Sequence, residues 1–285
     1  MNSLRLAKHR FTLRFKSDTI LPSFIGNTIR GALGRALYED NSWFAEELQC
    51  ACCCAELREY NSYTYGYCNN CAYGSIFKSS SVVSIPNPYT ISVPYPAKMD
   101  YRSGDELMFF ITLFGSACDF GTNVITAAKN MCKGKITDCV CDYEGTEYER
   151  VWSDGGAESI PYCGKLTINF ITPTEILSSK KPVTEVPFAA LIDTLFGRIG
   201  DIIDNYTNGK FIIPYKLIAH KPYITTKTKL RPTYFQTSGQ PIRGFLGSVT
   251  YFGDVTHYLP YIDLGSQIHI GKKTTRACGE YNFEI

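Results

Sequence analysis

Long apolar runs are missing from this 285-residue chain. One apolar run, Leu107–Ile111, resumes only briefly at Leu113 and Phe114, whereas a bilayer-crossing helix takes about 20 such residues. No membrane partner is therefore expected. The first 15 residues carry Arg5, Lys8, Arg10 and Arg14 with no apolar block behind them, which excludes a secretory signal there and predicts a cytoplasmic protein. No Gly-x-x-x-x-Gly-Lys-Ser/Thr string occurs, so hydrolysis of nucleotides on a Walker loop loses its basis. Histidine is scarce, at four residues, which leaves few candidates for proton transfer near neutral pH. Low hydrophobicity is absent too: 44% hydrophobic and 20% charged residues exclude disordered and collagen-like classes. The length fits one large domain or two of roughly 100–150 residues.

Net charge of +2 conceals a pattern. Residues 1–38 hold seven Lys/Arg against one acid, residues 39–205 hold twelve against twenty-two, and residues 206–285 hold ten against four. Both ends are basic and the middle is acidic. If the ends meet, they form a positive surface suited to phosphates; solvated surface charge is the plain alternative. The 20 tyrosines offer flat faces with polar tips, useful on binding surfaces and equally at home in half-buried sheets.

Twelve cysteines without a secretory signal do not read as a disulfide framework. Cys118, Cys132, Cys139, Cys141, Cys163 and Cys278 are scattered and read as small core residues. The other six crowd into residues 50–71. Cys50-x-x-Cys53 and Cys68-x-x-Cys71, fourteen residues apart, can wrap one tetrahedral ion, a candidate structural zinc site with no part in catalysis. Cys52 and Cys54 leave the register of the first pair open, and reduced thiols or redox pairing are the alternatives.

Hydrophobic periodicity sets the organisation. Residues 4–16 read as a strand, with Phe11, Leu13 and Phe15 on one face. Ser23 caps a helix through Tyr38, with Ile25, Ile29, Leu33, Ala36 and Leu37 inward. Three glycines in that helix cost about 1 kcal/mol each against alanine, which suggests close approach by another backbone or a ligand. Residues 48–104, rich in Cys, Ser and Pro, read as an insertion. A strand at Glu106–Phe114, a helix near Asn123–Met131 and strands at Ile136–Tyr143 and Glu147–Trp152 complete the first half. The second half repeats the order: a strand at Lys165–Ile171, a helix at Phe188–Tyr206, strands at Tyr215–Thr228 and Ile242–Tyr251, a short helix at Val255–Leu264, and strands at Gln267–Ile270 and Tyr281–Ile285. Two β-α-β-β-α-β-like units predict an α+β protein of tandem ferredoxin-like (RRM-like) domains, 1–157 and 158–285, with the Cys-rich insertion (about 48–100) in the first.

The sharpest basic element is His269-Ile270-Gly271-Lys272-Lys273-Thr274-Thr275-Arg276-Ala277-Cys278-Gly279-Glu280-Tyr281. Gly271 and Gly279 free the backbone so that amide N–H groups can face an anion, and Lys272, Lys273 and Arg276 add full charge. The plain alternative is a basic β-turn.

Four blocks in order then resemble a known family. They are Phe24-x-Gly26-x3-Arg30-Gly31-x2-Gly34, the segment Cys71–Phe77, Gly104-Asp105-x5-Phe110-x2-Leu113-Phe114-Gly115, and His269-x-Gly271-Lys272-x-Thr274-x3-Cys278-Gly279-x-Tyr281. Together they look like the CRISPR repeat-RNA processing endoribonucleases of the RAMP superfamily, and they span nearly the whole chain. The resemblance implies tandem ferredoxin-like domains and a precursor transcript as substrate. It further implies guide RNA as product, with metal-independent cleavage to a 2′,3′-cyclic phosphate and a 5′-hydroxyl, and no catalytic cofactor. RNA contacts would fall to Arg30, Gly271, Lys273, Thr274, Arg276 and Gly279; other CRISPR effector or adaptation proteins are candidate partners.

Such chemistry must align and deprotonate the 2′-hydroxyl, protonate the departing 5′-oxygen and stabilise the phosphorane. Many members place a histidine in the first helix, where this chain reads Gly34-Arg35-Ala36-Leu37. A guanidinium keeps its proton at neutral pH, so Arg35 suits charge stabilisation and cannot easily replace a base. His269, beside the basic turn, is the leading candidate for proton transfer, with Tyr38 as a weaker one and Lys272 for charge stabilisation. His9, His220 and His257 sit in no motif and read as structural or surface residues. Arg35 also favours an alternative: a non-catalytic RAMP subunit that binds guide RNA in an effector complex.

Overall fold

Strand β1 (Ser3–Phe15) buries Phe11, Leu13 and Phe15 as expected and exposes Arg14, while Thr12 on the same face as Arg14 is buried. The computed structural model describes residues 2–48, 72–78, 85–132, 136, 138–154, 160–178, 181–183, 185–214, 217, 223–237 and 241–285; of 40–48, 78 and 178 it describes the backbone alone. Leu6–Arg150 forms one compact unit; Met1–Arg5 with Val151–Ile285 forms another.

In the unit Leu6–Arg150, β1 is followed by β2 (Thr19–Ile20), helix α1 (Gly26–Leu48), β3 (Tyr89–Ser92), β4 (Asp100–Tyr101), β5 (Glu106–Phe114), helix α2 (Gly121–Asn130) and β6 (Cys139–Ser153). The main sheet has the order β3-β5-β1-β6, while β2 and β4 form a small ribbon. Numbering only the main strands 1 to 4 gives 2-3-1-4, the ferredoxin-like arrangement of a β-α-β-β-α-β chain. Register places Phe11 opposite Phe109 and Leu13 opposite Leu107, so the inner face of the sheet is continuous apolar surface. Ile25, Ile29, Leu33, Ala36 and Leu37 of α1 are all buried, as their spacing predicts. Each of the four Ile and Leu side chains contributes roughly 1.5–3 kcal/mol on full burial.

Two differences from the sequence reading have clear causes. The strands expected at 136–143 and 147–152 are one strand, because Gly145 at φ 126° bends β6 without ending it. Tyr89–Ser92, inside the range read as an insertion, is an integral edge strand of the sheet with every residue buried. The Cys-rich stretch itself, including Cys50, Cys53, Cys68 and Cys71, lies outside the described residues.

The other unit repeats the plan with β7 (Lys165–Thr174), the β8–β9 ribbon (Leu177–Ser178, Lys181–Pro182), α3 (Phe188–Tyr206), β10 (Thr225–Phe235), β11 (Ile242–Phe252), α4 (Leu259–Ile268) and β12 (Tyr281–Glu284). The sheet order β10-β11-β7-β12 is the same arrangement. Helix α3 buries Leu191, Ile192, Leu195, Phe196, Ile199, Ile202 and Ile203, the stripe read from the sequence. The strand expected to end at Thr228 instead begins at Thr225 and pairs with β11 through Phe235. Pro232 sits in it without penalty, since β10 is an edge strand and a missing N–H is tolerated there. Residues 267–268, read as the start of a strand, are the last of α4, whose Pro260 occupies the first turn where no intrahelical N–H is needed.

Candidate nucleic-acid interface

On α1, Arg30, Gly34 and Tyr38 are spaced four residues apart and share one face. The segment 72–78, closing in a π-turn at Gly74–Lys78, lays Phe77 into the notch at Gly34. A Cβ at Gly34 would come within 2.7 Å of the Phe77 ring, so close approach is what this glycine permits. Among the described residues nothing lies within 4 Å of a Cβ built at Gly31, so their packing does not require that glycine. The Arg30 guanidinium lies over the Phe77 ring at 5.5 Å. Tyr73 stacks on Phe77 at 6.0 Å and meets Tyr38 edge-on at 5.4 Å. Arg35 is exposed one residue beyond the notch, while Arg30 and Tyr38 are half-buried.

The basic turn is built from the end of α4. Arg198, buried on α3, donates from Nε and Nη2 to the carbonyl of Ile268 at 2.9 and 2.7 Å. His269 follows at φ 59° and is 1% exposed, its Nδ1 lying 3.2 Å from the Cys278 carbonyl. A carbonyl only accepts, so Nδ1 carries the hydrogen. That bond joins the two limbs of the turn, and burial takes the ring away from solvent-borne substrate. Gly271 at φ 80° and Gly279 at φ 76° pack against the carbonyls of Glu175 and Ile270.

The amides corrected one expectation. Lys272 N–H donates to the Glu175 carbonyl (3.1 Å) and Gly279 N–H to the Pro173 carbonyl (3.1 Å), so both face their own protein rather than an anion. Lys273 Nζ pairs with Glu175 Oε2 at 3.3 Å, both half-buried, which reduces its charge for a ligand. Thr274 is buried and Arg276 half-buried. Lys272 alone of the turn's three cations is exposed.

A cationic row escaped the sequence reading. Lys227, Lys229 and Arg231 alternate along edge strand β10, all exposed, with no carboxylate within 4.0 Å among the described residues. Register puts Lys227 in line with Thr250, Thr167 and Glu284, and Lys229 with Ser248, Asn169 and Asn282. The sheet face opposite its core is therefore polar and positive along β10. The signal was Lys-x-Lys-x-Arg at period two, hidden by ending the strand too early. The sheet of the unit Leu6–Arg150 differs: Arg10 pairs with Glu147 (3.2 Å), and Arg14 with Glu106 (2.8 Å) and Asp142 (3.3 Å). Two of the seven basic N-terminal residues, Arg10 and Arg14, are thus neutralised within their own sheet.

Of the remaining histidines, His9 is buried with Nδ1 3.2 Å from Thr146 Oγ1, His257 is half-buried on a 3₁₀ turn, and His220 lies outside the described residues. Among the described residues no group of three or more His, Cys, Asp or Glu could hold a metal ion. No helix among them is long and apolar enough to cross a membrane.

Two β-α-β-β-α-β units, with a glycine- and lysine-bearing turn after the last helix, define a protein of the tandem ferredoxin-like class. Residues 168–281 match the family model of the CRISPR-associated endoribonuclease Cas6, and residues 4–162 match a model described as an N-terminal domain. Over residues 168–281 the chain resembles the Cas6 endoribonucleases. Among solved structures it is similar to a Cas6 (TTHB231) product complex, with 14% identity, 100% of both chains covered and a TM-score of 0.57. Thermus thermophilus Cas6 (TTHB231) matches with 12% identity, 100% of both chains and a TM-score of 0.53. A partial Cas6-RT-Cas1–Cas2 complex matches with 11% identity over 99% of this chain and 46% of that one, at a TM-score of 0.56. At these identities the likeness concerns the fold. No curated protein matches.

Proposed function

We propose that this protein cuts CRISPR repeat RNA within the precursor transcript and so releases guide RNAs. The 2′-hydroxyl attacks the adjacent phosphorus, the bond to the 5′-oxygen breaks, and the products end in a 2′,3′-cyclic phosphate and a 5′-hydroxyl, with no metal required. The match of residues 168–281 to an endoribonuclease family carries this reading, because that segment holds both the basic turn and the cationic strand β10. Lys227, Lys229, Arg231 and Lys272 hold phosphates by charge. Arg35 stabilises the phosphorane, and the Tyr38 hydroxyl is the proton carrier on the same helix. His269 is a positioning residue that joins the limbs of the turn.

Purified protein in excess EDTA is expected to cut the repeat RNA at one site, and a 2′-deoxy nucleotide at that site to block the cut. Intact native RNA, with binding retained, removes the enzyme claim.

The second reading is guide-RNA binding without turnover inside an effector complex. It is favoured by Arg35 where relatives carry histidine and by the burial of His269. Co-purification with effector or adaptation proteins, together with tight binding and no cleavage, decides for it.

A further inference from the structure

The Sγ atoms of Cys132 and Cys139 lie 2.9 Å apart. Even carbon atoms rest at about 3.5–4.0 Å when unbonded, and a disulfide closes at roughly 2.05 Å. Cys132 stands two residues beyond the end of α2 and is half-buried; Cys139 is the first residue of β6 and is buried. We propose that these two residues are a dithiol–disulfide couple, a modification site oxidised by a small-molecule disulfide of the glutathione type.

The geometry separates their roles. The Cys139 thiol donates to the Cys132 sulfur, and that bond together with burial pushes the Cys139 thiol up, so Cys132 is the accessible attacking sulfur. The Cys132 thiolate attacks one sulfur of glutathione disulfide, breaks its S–S bond and expels one glutathione thiolate. Cys139 then loses its proton to solvent and attacks Cys132 Sγ, breaking the mixed disulfide and releasing the second thiolate. Two protein thiols are oxidised and one glutathione disulfide is reduced to two thiols. The bond ties the end of α2 to β6.

The other described cysteines lack this arrangement. Cys141 and Cys278 are buried, and burial pushes both thiols up to about 12. The thiols of Cys118 and Cys163 donate to the carbonyls of Leu113 and Lys165.

The test is peptide mapping of the native full-length chain after equilibration in graded mixtures of reduced and oxidised glutathione, acid quench and alkylation. Trypsin cuts after Lys129, Lys133, Lys135 and Arg150, so the expected product joins residues 130–133 to 136–150, with fragmentation placing the bond on Cys139 and not on Cys141. Cys139→Ser should stop at a Cys132–glutathione adduct, and Cys132→Ser should leave Cys139 unmodified; Cys132 is half-buried, so that variant is expected to keep its thermal midpoint. In the wild type, oxidation should raise the melting temperature over the reduced protein, and Cys139→Ser should show no such rise. A persistent Cys132–glutathione adduct in the wild type, or a crosslink that forms only in urea, overturns the proposal. RNA cleavage plays no part in this readout.

Discussion

Arg198 Nε and Nη2 both donate to the backbone carbonyl of Ile268, joining the middle of α3 to the last residue of α4. The guanidinium is buried, and burial pulls it down to about 10. It satisfies a carbonyl that has no partner within its own helix and places a cation at the helix C-terminus, where the macrodipole favours one. The next residue, His269, opens the basic turn, so a charge inside the fold determines where an outer loop begins.

Arg198→Met keeps most of the side-chain volume but orphans the Ile268 carbonyl. A buried acceptor without a donor costs about 1–3 kcal/mol. Urea unfolding is expected to show a loss in that range, and an unchanged midpoint contradicts it.

The same glycine-to-alanine change should have opposite signs three residues apart on α1. Gly31→Ala meets open space and should gain up to ~1 kcal/mol from helix propensity. Gly34→Ala receives the same gain but drives the Phe77 ring aside, and overpacking of this kind costs typically ~1–3 kcal/mol. A comparison of their thermal midpoints checks the pair; equal shifts would refute the notch.

Burial lowers the pKa of His9 below its ordinary 6.5, outweighing the charge of Glu149, and its Nε2 has no hydrogen-bond partner among the described residues. The unfolded chain therefore binds a proton at higher pH than the folded one. Stability should fall as pH drops through about 6.5 and level off below the folded-state value. Urea midpoints at pH 7.5 and 5.5 should differ less in His9→Gln than in the wild type.

RNA affinity should depend on β10 rather than β1. Each phosphate contact contributes roughly 0.7–0.9 to the slope of log K against log salt. Replacing Lys227, Lys229 and Arg231 together by alanine should make that slope shallower by ~2, whereas Arg10→Ala, whose charge is paired with Glu147, should leave it nearly unchanged. Filter binding across a salt series measures both.

Cys50, Cys53, Cys68 and Cys71 are proposed to hold one structural zinc on the strength of their spacing. Protein purified without added metal should then carry one zinc per chain, and Cys68→Ser should lose it. Metal-free wild type rejects the site.

Much of the fold was legible. The bounds of β5 and α3 were readable because apolar residues at period 2 and 3.6 answer to one buried face each, a local demand. The order of strands and helices followed, and with it the ferredoxin-like class. Strand β10 runs on past Thr228 through Pro232, which a central strand forbids and an edge strand tolerates, and edge position is a property of the sheet. The candidate site was less legible. Counting basic residues could not distinguish Arg14, held between Glu106 and Asp142, from Arg231, exposed without a carboxylate partner among the described residues.

What the sequence determined by itself was therefore the tandem architecture and its supply of cations, since both depend on residue type at regular spacing. Only the tertiary structure decided which cations face solvent, that Lys272 and Gly279 turn their amides inward, and that His269 lies inside the turn it was expected to serve. Those outcomes depend on strand register and on which backbone lies across from which side chain, and contacts between residues a hundred positions apart leave no periodic trace along the chain.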